Sequence, residues 1–211
     1  MKIKKITRQE IIATARRYSS HIWTATQRNS FHGRDPDGIL IATPNQRIDE
    51  NKELQGWWRT DEPNRGMPYK WGGFDTPETF DAGIRANCYA GDVGALAWKR
   101  KVLYNGVSRY AVGIDCSGLI SRCWGLYEKH STRNLSDVAI SLASTAHLLP
   151  GDILNAYNNH VVLFETFVDR AKGIIQVIET YESKVRRHIR ELHTLLKAGF
   201  TPFRYKGLRE L

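Results

Sequence analysis

The order of apolar and polar residues changes period about two thirds of the way along the chain. Ile11, Ala15, Tyr18 and Ile22 recur at helical spacing behind Thr7-Arg8-Gln9-Glu10, which reads as a capping box with Thr at N-cap and Glu at N3. The pattern predicts a helix running to about Gln27. Thr76-Pro77 supplies a second start signal, an N-cap followed by Pro at the first helical position, for a short helix through Phe80 and Ile84. A third helix is expected to begin at or just before Cys116. From there Leu119, Ile120, Cys123, Trp124 and Tyr127 form one apolar stripe.

After Pro150-Gly151 the period shortens to two. Residues 152–157, 160–167 and 173–181 read as strands joined by turns at Asn158-Asn159 and around 169–172, and 184–190 and 200–206 add two more. Helices first and an antiparallel sheet afterwards is an α+β order. Residues 28–66, rich in Asn, Asp, Gly, Pro and Arg with Trp57 and Trp58 embedded, read as long surface loops or a small lobe packed by aromatics. Residues 88–113 fit helix and loop equally well. The 211 residues therefore suit one domain, 1–211, with 28–66 and 74–114 as loop-rich additions to a core at about 66–205.

Composition adds little to that frame and excludes some classes. Hydrophobic residues make up 41% and charged residues 25%, ordinary values that argue against disorder. No apolar run reaches the length of a membrane span. The basic start at Lys2, Lys4 and Lys5 is followed by Arg8, Gln9 and Glu10 rather than by the apolar stretch of an export signal. The chain as written reads as cytoplasmic, or as exported if a signal has been removed. The net charge is +9, and residues 184–211 hold eight Lys or Arg against two Glu. Such a balance suits an anionic partner, or an edge strand guarded by cations. No nucleic-acid-binding motif is present, so no nucleic-acid partner is expected.

Three cysteines without a CxxC pair argue against a disulfide framework and a structural zinc site. Cys116 stands apart from Cys88 and Cys123 by its place in Gly113-Ile114-Asp115-Cys116-Ser117-Gly118. A thiol attacks as thiolate, and a helix N-terminus and a nearby imidazolium both favour that form. His160 opens a strand straight after a turn, where its ring can reach a helix start and act as a base. Such a base needs an acceptor on its other nitrogen. A hairpin centred near Asp169-Arg170 sets His160 against residues 179–181, where Glu179 is the only ionisable acceptor. Asp92 and Asp152 read as turn-capping residues. His21, His32, His130, His147, His188 and His193 show no metal-ligand spacing, and no Gly-x-Ser-x-Gly elbow points to a serine hydrolase.

Asp115-Cys116-Ser117-Gly118-Leu119-Ile120, with Pro68-Tyr69-Lys70-Trp71-Gly72-Gly73 before it and Leu149-Pro150-Gly151-Asp152-Ile153-Leu154 and His160-Val161-Val162 after it, resembles the NlpC/P-sixty family of papain-like cell-wall cysteine peptidases. The resemblance spans roughly residues 66–205. Segment 74–114 is longer than the family usually has, and 28–66 matches nothing in it. The resemblance implies a papain-like fold, in which a nucleophile-bearing helix packs on a small antiparallel sheet. It also implies hydrolysis of the bond between D-γ-glutamate and a diamino acid in peptidoglycan stem peptides, with muropeptides as partners and no metal or organic cofactor. Carried over residue by residue, Cys116 is nucleophile, His160 base and Glu179 the third residue. Tyr69 would line the site near the oxyanion, and Asp115 and Ser117 would hold substrate polar groups. A thiol amidase or acyltransferase on another substrate, and a catalytically silent wall-binding module, are the competing readings.

Overall fold

The computed structural model describes residues 4–49, 51–181 and 183–209. Five α-helices lie among them: α1 (Arg8–Ser20), α2 (Pro77–Arg85), α3 (Leu96–Val102), α4 (Cys116–Cys123) and α5 (Leu192–Lys197). The chain divides into two compact units. The first comprises Met1–Ser19, Cys116–Glu179 and Arg186–Leu211, and the second Ser20–Asp115 and Thr180–Val185. The mixed α+β class is as expected, while the stretch 66–205 contributes to both units.

The largest sheet has six strands: β1 (Ala139–Ser141), β2 (Ile153–Ala156), β3 (His160–Asp169), β4 (Ile174–Tyr181), β5 (Lys184–Glu191) and β6 (Thr201–Tyr205). Their spatial order is β5-β4-β3-β2-β6-β1, and the sheet is antiparallel. One face of β2, β3 and β4 alternates Leu154, Ala156, Val162, Phe164, Ile175 and Val177, which are buried with Leu192 and Leu195 of α5 and with Phe200. That period-two alternation is what a strand needs to fill a core on one side.

Around this sheet, α1 starts as the sequence predicts. Thr7 Oγ1 accepts the Glu10 N–H at 3.2 Å, and the Glu10 carboxylate accepts the Thr7 N–H at 2.7 Å. Ile11, Ala15 and Tyr18 are buried. The helix ends at Ser20, not at Gln27, because Ile22-Trp23-Thr24 forms a strand with Pro63–Arg65 that exposes Ile22 and buries Trp23. Asp152 caps a turn as expected, accepting the Leu149 N–H at 2.9 Å, and it also pairs with Arg8 at 2.9 Å and with Arg204 at 2.7 Å.

The helix α4 packs against β3 and buries Leu119, Ile120 and Cys123 completely. It ends at Cys123, and two residues on Gly125 turns the chain with φ +66°, a conformation that an L side chain resists. Trp124 therefore still points inward, stacking on Tyr205 at 5.0 Å, but Tyr127 leaves the stripe and is exposed.

The second unit is a lobe packed by aromatics. Trp23 meets Trp58 at 5.6 Å and Phe80 at 5.0 Å, both edge to face, and the three rings are buried. Short ladders join 32–34 to 40–42 and 47–48 to 54–55. Helix α2 has Thr76 as its N-cap and Pro77 at its first position, as read from the sequence. The stretch 88–113 resolves into α3 flanked by a parallel pair, Tyr89–Ala90 with Ala111–Val112. Asp92 does cap a turn, accepting the Gly94 N–H at 3.0 Å, and its other oxygen holds Lys99 in an ion pair buried on both sides.

Candidate active site

Cys116 is the first residue of α4, and its side chain is buried. The helix starts there because the apolar stripe starts there and because Gly113, with φ +148°, precedes it in a conformation that breaks regular structure. The first N–H groups of any helix lack intrahelical partners, so a nucleophile at this position sits among donors suited to negative charge.

His160 is the first residue of β3. The hairpin behind it turns through Tyr157-Asn158-Asn159, with Asn158 at φ +54°, a conformation Asn tolerates better than most residues. Pairing of Ala156 with His160 and Ile153 with Leu163 fixes β3 beside β2. On its other side, β3 pairs with β4 through Asp169↔Ile174, Phe167↔Ile175, Thr166↔Gln176, Phe164↔Val177 and Leu163↔Ile178, with register shifts at two places. The hairpin is therefore centred later than the sequence suggested, and the two shifts bring the register back. Glu179 falls on the face that carries His160, Val162 and Phe164.

The three residues meet within the first unit. The imidazole of His160 hydrogen-bonds the Cys116 side chain. Its Nε2 lies 2.5 Å from Glu179 Oε2. Glu179 is fully buried, while the His160 ring keeps about a quarter of its surface exposed. Burial works against the charged imidazole. The charge and hydrogen bond of Cys116, followed by the hydrogen bond and charge of Glu179, outweigh it and push the His160 pKa up to about 10. Burial likewise opposes the carboxylate. Hydrogen bonds from His160 and His188, with the charges of His160 and Arg190, hold Glu179 down at about 2. The arrangement is that of an imidazole held in its protonated form between the Cys116 side chain and a carboxylate.

Two contacts of Glu179 were not anticipated. His188 Nε2 lies 2.9 Å from Oε1, and Arg190 Nη1 donates to the same oxygen at 3.0 Å. The sequence did contain a signal. In β5 the residues Arg186, His188 and Arg190 alternate onto one face beside the single acid of the neighbouring strand, but the burial of that acid is a tertiary fact.

Ser117 lies beside Cys116 in the first turn of α4, and its Oγ is 3.3 Å from Lys129 Nζ. Tyr69 and Asp115 belong to the second unit. There the Tyr69 N–H donates to the Ser183 carbonyl at 2.8 Å, and the Asp115 N–H donates to the Gly73 carbonyl at 3.3 Å. The other two thiols have different surroundings. Cys123 is completely buried, and burial pushes its thiol up. Cys88 is half-buried; burial and then the Asp75 charge raise its thiol against the pull of Lys70.

Among the described residues no group of three or more His, Cys, Asp or Glu is arranged to hold a metal ion, and no helix is long and apolar enough to cross a membrane. No family model, curated protein or solved structure matches the chain.

Proposed function

We propose that this chain is a cysteine peptidase of papain-like type that hydrolyses amide bonds in peptidoglycan stem peptides, between D-γ-glutamate and a diamino acid. The observation that carries the chemistry is the row Cys116, His160, Glu179, with the thiol at a helix start and the imidazole at the mouth of the strand packed against that helix. The substrate class rests on the resemblance of the surrounding motifs.

In this reading the Cys116 sulfur attacks the amide carbonyl carbon. N–H groups of the first turn of α4 steady the oxyanion, and the C–N bond breaks as His160 passes its proton to the departing amine. The acyl group is then held as a thioester. A water molecule gives its proton to His160 and adds to the carbonyl carbon, and the C–S bond breaks to release the acid and restore the thiolate. Glu179 orients the ring throughout and supports its positive charge. The net positive charge of the chain suits a substrate polymer that carries carboxylates.

Incubation with defined muropeptides, with products read by mass, tests the proposal. Two fragments differing from the parent by one water, absent with Cys116→Ala, are expected. Rapid labelling of Cys116 by a thiol probe without stem-peptide cleavage would keep the thiol chemistry and discard the substrate. Sluggish labelling of every cysteine would discard both.

A further inference from the structure

Glu179 is a fully buried carboxylate whose two oxygens have separate duties. Oε2 lies 2.5 Å from His160 Nε2. Oε1 is gripped from β5 by His188 at 2.9 Å and by Arg190 at 3.0 Å. Taking an isolated carboxylate out of water is costly unless a cation and further hydrogen bonds compensate it. The imidazolium of His160 cannot serve as that cation alone, because the same ring is also hydrogen-bonded to the Cys116 side chain. A guanidinium, unlike an imidazole, is charged at every working pH.

Resting on the hydrolase reading above, we propose that Arg190 is a positioning residue of the active site. Its fixed charge keeps Glu179 ionised, and its grip on Oε1, shared with His188, turns Oε2 toward His160. Cations thus flank the buried Glu179 carboxylate at both oxygens, His160 at Oε2 and Arg190 at Oε1, with His188 within hydrogen-bond distance of Oε1. Removing the guanidinium takes away the cation whose charge is fixed. Glu179 then takes up a proton at higher pH, and a protonated Glu179 no longer supports the imidazolium that pairs with the thiolate.

The test is the rate of Cys116 alkylation by iodoacetamide as a function of pH, on the full chain, with Cys88 and Cys123 labelling read separately by mass. Loss of an opposite charge at this distance displaces a carboxylate by about one pH unit or more. Arg190→Gln should therefore move the acid limb of labelling upward by about that much, and Arg190→Lys should restore most of it. In a Glu179→Gln background, Arg190→Gln should move the limb no further, because Arg190 acts through Glu179; this comparison also serves if the single variant folds poorly. A limb that stays in place in Arg190→Gln, a Lys variant no better than the Gln variant, or an additional displacement in the double variant would overturn the proposal. Wild-type protein without fast Cys116 labelling would instead overturn the hydrolase reading beneath it.

Discussion

Neutralising Glu179 should change how the stability of the protein responds to acid, by an amount that the site itself sets. Its pKa lies at about 2 against an ordinary 4.5, because hydrogen bonds from His160 and His188 and the charges of His160 and Arg190 outweigh burial. Each pH unit of that displacement is worth about 1.4 kcal/mol, so ionisation of Glu179 contributes about 3 kcal/mol to folding. The pKa is lowered on folding. The contribution is therefore complete above pH 4.5 and is lost as the pH falls toward 2. His160 works on the other side: raised to about 10, its contribution is complete below 6.5 and is lost as the pH rises through 10. Glu179→Gln preserves the volume, leaves Arg190 and His188 facing a neutral group, and should cost about 3–5 kcal/mol near neutrality. In a chain of this size that is a fall in Tm of roughly 6–20 °C. Thermal melts followed by circular dichroism from pH 2 to 7 would measure both effects. The wild-type curve should drop below pH 4.5, and the variant curve should be flatter there by about 3 kcal/mol. If the two curves run parallel, Glu179 is not the ionised hub described here.

Cys116→Ala should abolish turnover with the fold intact, while Cys88→Ala and Cys123→Ala keep activity; full turnover in the Cys116 variant, read on the same muropeptides, would contradict the mechanism. Asp92→Asn leaves the Lys99 ammonium buried without its partner in the second unit and should cost about 3–5 kcal/mol in urea unfolding. Adding Lys99→Met should recover most of that loss. On the proposed function, Lys129, held 3.3 Å from Ser117 next to Cys116, should favour substrates with a carboxylate near the scissile bond. Lys129→Met is expected to raise KM several-fold for those substrates and to spare amide-capped analogues, and equal effects on both would remove Lys129 from substrate recognition.

The parts of this molecule that were legible in the sequence are those specified by neighbouring residues. The capping box at Thr7, the N-cap at Thr76 and the start of α4 at Cys116 each depend on contacts within one helical turn. Strands β2 to β6 announced themselves by alternation. What alternation cannot do is end an element. Ile22 fits the helical stripe of α1 and Tyr127 that of α4, yet both are exposed, one because a strand partner captures its segment and the other because Gly125 turns the chain away. Strand β1, three residues long, and the two-residue parallel pair in the second unit are too short to carry any period, so only the folded chain reveals them.

The site divides along the same line. Cys116 and His160 were readable because each begins an element, and beginnings are local. Glu179 was reached by counting back from a hairpin whose centre was placed too early, and the count still reached the residue that bonds His160 because two register shifts in the β3–β4 ladder compensate for the difference. A one-residue slip would have put the carboxylate on the opposite face. His188 and Arg190 were invisible for a further reason: taken alone, a cationic edge strand is an ordinary guard against sheet-to-sheet pairing. The same residues gain a partner only when the acid beside them is buried, and burial of that acid is a property of the folded chain. The edge strand can then serve both purposes at once. Arg187 on its other face pairs with Glu165 at 2.6 Å, apart from Cys116, His160 and Glu179, so cations alternate between one buried acid and the other. It follows that exchanging charge on the two faces of β5 should have separable consequences, with stability alone affected at Arg187 and the pH response of Cys116 affected at Arg190.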